Sequence, residues 1–133
     1  MDFNMSDCLF CKIVKGDIPC IKIYEDNDFL AFMDIYPVAK GHALLIPKKH
    51  AEWMQDCDDD TVSKTFIVCR NLMQKMKTNL DCDYVQLGVV GEQVPHFHVH
   101  LIPQKNGHLL PRWPVISYDT PNEIEEYADK IKG

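Results

Sequence analysis

The segment His96-Phe97-His98-Val99-His100-Leu101-Ile102 places three histidines at alternate positions between large apolar residues. Strict alternation is typical of a half-buried β-strand, so we expect Phe97, Val99 and Leu101 to face a core while the imidazoles share the other face. Histidine can act as a base, acid, nucleophile or metal ligand near neutral pH. The segment therefore predicts a strand that carries an active site.

Three interpretations of this histidine strand are open. A solvated polar face is disfavoured, because three of the six histidines in the chain fall on alternate positions of one segment. A single metal site for all three conflicts with strand geometry, which separates His96 and His100 by about 13 Å, whereas zinc–nitrogen bonds are about 2.0–2.1 Å long. The pattern favours a nucleophile with supporting donors along an extended anionic group such as a polyphosphate.

Composition predicts one globular domain over residues 1–133, with 46% hydrophobic and 26% charged residues. The N-terminus lacks the features of a secretory signal, and no apolar run approaches about 18 residues. We therefore expect an intracellular, cytoplasmic protein outside the membrane, with its six cysteines reduced. The net charge of −6 argues against a general nucleic-acid or membrane surface.

Hydrophobic periodicity predicts five short strands, at residues 21–24, 29–33, 43–46, 84–90 and 96–102, the last ended by Pro103. A long helix opens at residues 58–61 and carries one apolar stripe, formed by Val62, Phe66, Cys69, Met73, Met76 and Leu80. A C-terminal helix opens at residues 120–123, with a cap, a proline and a capping-box glutamate, and runs to Ile131. The prediction is an α+β fold with an antiparallel five-stranded sheet, one long helix and a C-terminal helix.

The histidine strand resembles the signature of the histidine triad (HIT) nucleotide-binding proteins. Two further blocks agree with it: residues 7–19 resemble the family's N-terminal segment, and residues 40–50 resemble its central strand. The shared core covers about residues 7–104, which leaves residues 105–133 as a C-terminal extension. The resemblance implies a HIT-like homodimer that acts on nucleoside phosphates.

The resemblance also implies roles for individual histidines. His98 matches the middle histidine of the family, which attacks the α-phosphorus and forms a covalent nucleotidyl-histidine that water later releases. His100 would supply a donor or a proton to the phosphate or the leaving group. His42 matches a fourth family histidine that orients or assists the triad; the alternative is a plain turn residue after Gly41.

A nucleotide pocket is implied in the same way. Asp34 matches the acidic residue that accepts both ribose hydroxyls, although it also reads as a turn residue before Ile35. The loop before the triad departs from the family, since Glu92 follows Gly91 in place of glutamine, and Gln93 is assigned its phosphate contact. The other residues assigned to the nucleotide are Leu9, Phe10, Ile13, Phe32, Ile35 and Val94.

Cys8 and Cys11 have the spacing of half a zinc site, which is weak evidence alone. Zinc-carrying members of the family complete such a site with two histidines, which correspond here to His50 and His96. Two cysteines and two histidines form a closed tetrahedral site, so this zinc would be structural. The alternatives are free thiols or a redox motif.

The leading hypothesis is a hydrolase that cleaves purine nucleoside 5′-phosphoramidates or other AMP conjugates and releases AMP. Three alternatives remain. One is an asymmetrical dinucleoside polyphosphate hydrolase. Another is a nucleotide-binding regulator without turnover, and the last is a hydrolase in which zinc activates water.

Overall fold

The computed structural model describes residues 7–107 and 115–133, which form a five-stranded antiparallel sheet with helices on both faces. The strands follow the order β1-β2-β3-β5-β4 across the sheet. The elements are α1 (Leu9–Lys15), β1 (Lys22–Glu25), β2 (Phe29–Met33), β3 (Ala43–Pro47), a 3-10 turn (Met54–Asp56), α2 (Asp59–Asn79), β4 (Tyr84–Gly88), β5 (Val99–Gln104) and α3 (Glu123–Lys132). The predicted α+β architecture is confirmed, and α1 is a helix that the sequence patterns did not reveal.

Side chains alternate between two apolar layers because successive strand residues point to opposite faces of the sheet. On β2, Ala31 and Met33 face α2 and α3, whereas Leu30 and Phe32 face α1. Phe97, Val99 and Leu101 are all buried in the layer that contacts α2 and α3. This confirms the predicted orientation of the histidine strand and leaves its imidazoles on the α1 side.

Helix α2 begins where the sequence predicts, because the Asp58 carboxylate accepts a hydrogen bond of 2.7 Å from the Thr61 amide. Its buried face differs from the predicted stripe, since Thr65 and Leu72 are buried while Val62, Phe66 and Met73 are only half-buried. Thr65 can be buried because its hydroxyl donates to the Thr61 carbonyl at 2.6 Å. Cys69, Met76 and Leu80 are buried as predicted.

Several predicted boundaries were wrong. Pro103 does not end β5, because β3 pairs only with residues 99–101 and the following part of β5 is bonded to β4 alone, where a proline is tolerated. Residues 96–98 precede β5, since the Phe97 amide donates to the Ala51 carbonyl. Strand β4 ends at Gly88 instead of at residue 90. Helix α3 starts at Glu123, whose carboxylate accepts from the Asp119 amide at 2.7 Å.

None of the helices in residues 7–107 and 115–133 combines the length and the hydropathy that crossing a bilayer requires.

Candidate active site and metal-binding cluster

A cleft of about 310 Å³ opens beside the histidine strand. His98 and His100 line one side, and the loop of residues 90–93 lines the other. His100 belongs to β5 and is paired with Leu44 of β3, so the sheet fixes its backbone. The cleft therefore combines two rigidly held imidazoles with a loop that approaches them from outside the sheet.

The hydrogen bond of His98 determines which ring nitrogen can react. Nδ1 lies 2.7 Å from the carbonyl oxygen of His96, and a carbonyl can only accept. Nδ1 therefore carries the proton in the neutral ring, and Nε2 carries the lone pair. Phe10 packs against the ring at a centroid distance of 5.1 Å and an interplanar angle of 89°. His98 is thus held as a neutral imidazole with a nucleophilic Nε2.

A second pair of imidazoles, His42 and His100, has its protons fixed by a backbone amide. The Val38 amide donates to Nδ1 of His42 at 2.9 Å, so the proton of the neutral His42 ring lies on Nε2. That Nε2 lies 2.9 Å from Nδ1 of His100, which must then accept. His100 therefore carries its own proton on Nε2. We call this chain of hydrogen bonds, from the Val38 amide through His42 to His100, the relay. It leaves His100 as a neutral histidine whose Nε2–H can donate a hydrogen bond at the cleft.

Burial lowers the pKa of His42, His98 and His100, because a charged ring would lose its hydration. The pKa of His42 falls to about 4 through burial. The pKa of His100 falls to about 3, mainly through burial and then through the neighbouring His42 and His98. Burial also lowers the pKa of His98. All three rings are therefore neutral at neutral pH, as a nucleophile and its hydrogen-bonded neighbours require.

Asp34 stabilises a turn and also lies beside the relay, next to His42. One carboxylate oxygen accepts from the Tyr36 amide at 2.8 Å, and the other lies 3.5 Å from Nε2 of His42. Burial raises the pKa of this carboxyl group. The turn interpretation of Asp34 therefore describes its local contact, and the contact with His42 was not predicted from the sequence.

The residues assigned to the nucleotide base fall into two groups. Phe10, Ile13 and Phe32 are buried in one apolar cluster, and Val94 packs against it. The Phe10 and Phe32 rings are 5.4 Å apart in an edge-to-face arrangement. Leu9 and Ile35 are 43% and 68% exposed, so they lie at the surface and outside this cluster.

The loop that departs from the family pattern lines the cleft directly. Glu92 and Gln93 both face it, together with Val90 and Gly91. Gly91 has a φ of 82°, and a side chain there would lie 2.7 Å from the Trp53 ring. Glycine at this position lets the loop pack closely on Trp53 and turn towards the histidines.

Cys8, Cys11, His50 and His96 meet at one point, with their ligand atoms all within 4.8 Å of one another. Nδ1 of His50 and Nδ1 of His96 are 3.3 Å apart. Sulfur–nitrogen distances are 3.4 Å from Cys8 to His96, 3.2 Å from Cys11 to His50 and 3.5 Å from Cys11 to His96. Tetrahedral zinc with ordinary bond lengths requires about 3.3 Å between nitrogens and about 3.5 Å between nitrogen and sulfur.

Hydrogen bonds around this cluster also suit a metal ion. Nε2 of His96 lies 2.7 Å from the Pro47 carbonyl and must donate to it, which leaves the lone pair of His96 on Nδ1, towards the cysteines. The Cys11 amide donates to the Cys8 sulfur at 3.4 Å. Burial, followed by the neighbouring Cys8, raises the pKa of the Cys11 thiol to about 11, so a cation is needed to hold it as a thiolate at neutral pH.

Asp34, His42 and His100 also form a group with ligand spacing, but their protonation does not fit a metal. Nδ1 of His42 already accepts the Val38 amide. Binding a cation through Nε2 would therefore require an imidazolate, because neither nitrogen could keep the proton. The two clusters therefore differ in chemistry. The Cys/His cluster presents lone pairs to an ion, whereas His42 and His100 are linked to each other and to the Val38 amide by successive hydrogen bonds.

Comparisons with known proteins agree with this geometry. The HIT domain family model matches residues 15–107. The adenosine 5′-monophosphoramidase hnt1 of Schizosaccharomyces pombe is 38% identical over 135 residues, covering 94% of this chain and 98% of that protein. The adenosine 5′-monophosphoramidase HNT1 of Saccharomyces cerevisiae is 36% identical, covering 95% of this chain and 84% of that protein.

Among solved structures, a zinc-bound histidine triad family protein from Mycobacterium smegmatis superimposes with a TM-score of 0.84 at 30% sequence identity. The match covers 97% of this chain and 93% of that protein. The similarity therefore extends over nearly the whole length of both chains.

Proposed function

Because the chain belongs to the HIT domain family, we propose that it hydrolyses purine nucleoside 5′-phosphoramidates or related AMP conjugates and releases AMP. The expected enzyme class, a nucleotide hydrolase of this family, is confirmed by the two phosphoramidase relatives. The finer proposal adds a covalent nucleotidyl intermediate on His98. The observation that carries it is the bond from His98 Nδ1 to the His96 carbonyl, which leaves Nε2 as a nucleophile beside the cleft.

The proposed reaction has two displacements. Nε2 of His98 attacks the α-phosphorus, the leaving nitrogen takes a proton from solvent as the phosphorus–nitrogen bond breaks, and the amine departs. The ring gains positive charge as the new bond forms, and the His96 carbonyl stabilises it through the bond to Nδ1–H. Water then attacks the phosphorus of the adduct, which frees AMP and restores His98; over both steps, water supplies the hydroxyl of AMP and a proton of the amine.

His100 has a separate task in this proposal. Its neutral ring donates a hydrogen bond from Nε2 to the phosphate, where negative charge increases in the transition state. His42 keeps that proton on Nε2 of His100 by donating to Nδ1. The function is tested by incubating the protein with adenosine 5′-monophosphoramidate and measuring release of AMP and ammonia. Acid-quenched samples are then searched for protein carrying one AMP group; absence of AMP release would reject the proposal.

Charge in the cleft favours phosphoramidates over dinucleoside polyphosphates. Its lining includes the Glu92 carboxylate and contains no lysine or arginine among the described residues. A polyphosphate would bring several additional negative charges next to this carboxylate, and unscreened repulsion of this kind costs on the order of 1 kcal/mol. A phosphoramidate carries less negative charge, and its leaving group is a neutral amine.

We expect Glu92→Gln to raise kcat/KM for a diadenosine polyphosphate by about fivefold, because it removes the repulsive charge. The kcat/KM for a phosphoramidate should change by less than about twofold. Glu125→Gln is the matched control, since Glu125 is an exposed residue of α3 and its loss changes the net charge equally. Steady-state kinetics on both substrates provide the measurement. If both variants raised kcat/KM for the polyphosphate equally, the effect would come from net charge alone.

We propose that Cys8, Cys11, His50 and His96 hold a structural zinc ion. The matching interatomic distances and the protonation of His96 support this assignment, as does the zinc-bound relative from Mycobacterium smegmatis. Zinc would join α1, the end of β3 and the start of the histidine strand. With four protein ligands it leaves no open position for substrate.

We also propose that the chain is a homodimer. Strand β4 lies at the edge of the sheet, and it and the residues that follow it expose large apolar side chains at Tyr84, Leu87, Val89 and Val90. An exposed, apolar edge strand is suited to pairing with another chain. Sedimentation equilibrium should give twice the chain mass, and Leu87→Glu should shift it towards the monomer; a wild-type monomer at micromolar concentration would reject this assembly.

A cytoplasmic location is proposed from the cysteines. All six are free thiols, with no disulfide between them. Free thiols and a thiolate-bound metal both persist in a reducing compartment.

A further inference from the structure

Residues 115–123, which lie beyond the region that matches the HIT domain model, are bonded to the loop that precedes His42. The Ile116 amide donates to the Pro37 carbonyl at 2.8 Å. The Gly41 amide donates to the Tyr118 hydroxyl oxygen, also at 2.8 Å. These two bonds hold the first and the last residue of the loop 37–41.

An ion cluster ties the same two segments together. The Lys40 ammonium lies 2.6 Å from the Asp119 carboxylate and 3.2 Å from that of Glu123. The Glu123 carboxylate also accepts the Asp119 amide at 2.7 Å, so it shapes the C-terminal segment that it anchors. Asp119 is 74% exposed, which makes its ion pair weaker than the buried contacts nearby.

Gly41 is also closely packed by residues from other parts of the chain. Its φ is 94°, and a side chain there would lie 2.9 Å from Leu80 and 3.0 Å from Pro103. The loop is therefore confined both by this packing and by the hydrogen bond to Tyr118. Burial raises the pKa of the Tyr118 hydroxyl, so the group stays neutral and can accept the Gly41 amide.

The confined loop contains the amide that controls His42. Val38 lies between Pro37 and Gly41, both of which are bonded to the C-terminal segment, and its amide donates to Nδ1 of His42. If the loop shifted, His42 could adopt the other tautomer and accept at Nε2. His100 would then donate from Nδ1 and present a lone pair, not a proton, to an anionic phosphate.

We propose that residues 115–123 position the catalytic relay, with Tyr118 as the main positioning residue: they hold the loop 37–41 so that His42 keeps its proton on Nε2 and His100 presents a donor to substrate. The inference rests on the proposed function for its catalytic consequence. The structural part, control of the His42 tautomer by Tyr118, stands independently of any substrate.

Tyr118→Phe tests the inference because it removes the oxygen that accepts the Gly41 amide and keeps the ring that packs on Tyr127 at 5.8 Å. For adenosine 5′-monophosphoramidate we expect kcat to fall about tenfold, while KM and the Kd for AMP change by less than about twofold. Tyr127→Phe is the control, since it removes a neighbouring hydroxyl that, within residues 7–107 and 115–133, makes no hydrogen bond to the loop 37–41. Thermal unfolding of each variant shows that the assays use folded protein.

Nitrogen-15 spectra of the imidazoles provide a readout that a purely supporting role of Tyr118 would not change. Wild-type His42, assigned with the His42→Asn variant, should show the Nε2–H tautomer, and Tyr118→Phe should show a mixture. An unchanged His42 tautomer, a parallel loss of kcat and substrate affinity, or an equal loss in Tyr127→Phe would each overturn the inference. Absence of wild-type turnover would reject the proposed function and leave the tautomer test intact.

Discussion

Replacing His98 with asparagine is expected to lower kcat for a nucleoside phosphoramidate by about 10⁴-fold or more, the scale seen when a covalent nucleophile is removed. Asparagine places an amide N–H close to the position of Nδ1, so the bond to the His96 carbonyl can persist. It has no group at the position of Nε2. The variant therefore separates loss of the nucleophile from loss of the local structure.

Two measurements check this prediction. Single-turnover assays should give no AMP burst in His98→Asn, and mass spectrometry should find no nucleotide adduct on the protein. Binding of AMP should survive within a few fold, because the variant leaves unchanged the apolar cluster of Phe10, Ile13 and Phe32, which we expect to hold the base. Turnover within tenfold of wild type would contradict covalent catalysis by His98 and would favour water activated by another group.

The strands could be predicted because apolar and polar residues alternate in them or because they form short apolar runs. In a sheet, alternate residues face opposite sides, so this pattern determines which side chains are buried. Phe97, Val99 and Leu101 show this most clearly. Strand ends were less predictable, since they depend on neighbours that are distant in sequence. Pro103 is tolerated within β5 only because β3 no longer pairs there.

Helix α1 was missed for a related reason. It has only seven residues, and its N-cap is a cysteine whose sulfur accepts the Cys11 amide. A helix this short does not show a clear amphipathic pattern. Cysteine is also not among the residues that usually occupy an N-cap. Its familiar signals lie at the C-terminal end, where Lys12 and Lys15 occupy the last turn and Gly16 follows with a φ of 85°.

The candidate site residues were predicted from motifs and from the family resemblance, whereas their protonation required coordinates. His98 and His100 are two residues apart in the sequence, yet their tautomers depend on the His96 carbonyl and the Val38 amide. A sequence pattern does not show which backbone carbonyl or amide will contact a given side chain. Tyr118 is likewise 77 residues from Gly41, and nothing in its local sequence indicates that bond.

Loss of the proposed zinc is expected to have the largest effect on stability. We expect the wild-type chain to bind a single zinc ion and Cys11→Ser to retain little of it, because a serine hydroxyl is a poor zinc ligand. Stability should fall by about 3 kcal/mol, corresponding to a Tm lower by about 10 °C, since metal binding contributes directly to folding. Elemental analysis and calorimetry of the purified protein provide the measurements.

Cys57→Ser is the matched control, because Cys57 is a half-buried thiol outside the Cys/His cluster. Its zinc content should match wild type. Chelation should reproduce the Tm loss of Cys11→Ser in the wild-type chain, and activity measured well below that Tm should persist, since all four proposed ligand positions are filled by the protein. Immediate loss of activity on chelation, together with full turnover by His98→Asn, would instead identify a metal-activated water. Equal zinc content in Cys11→Ser and wild type would show that the ion binds elsewhere.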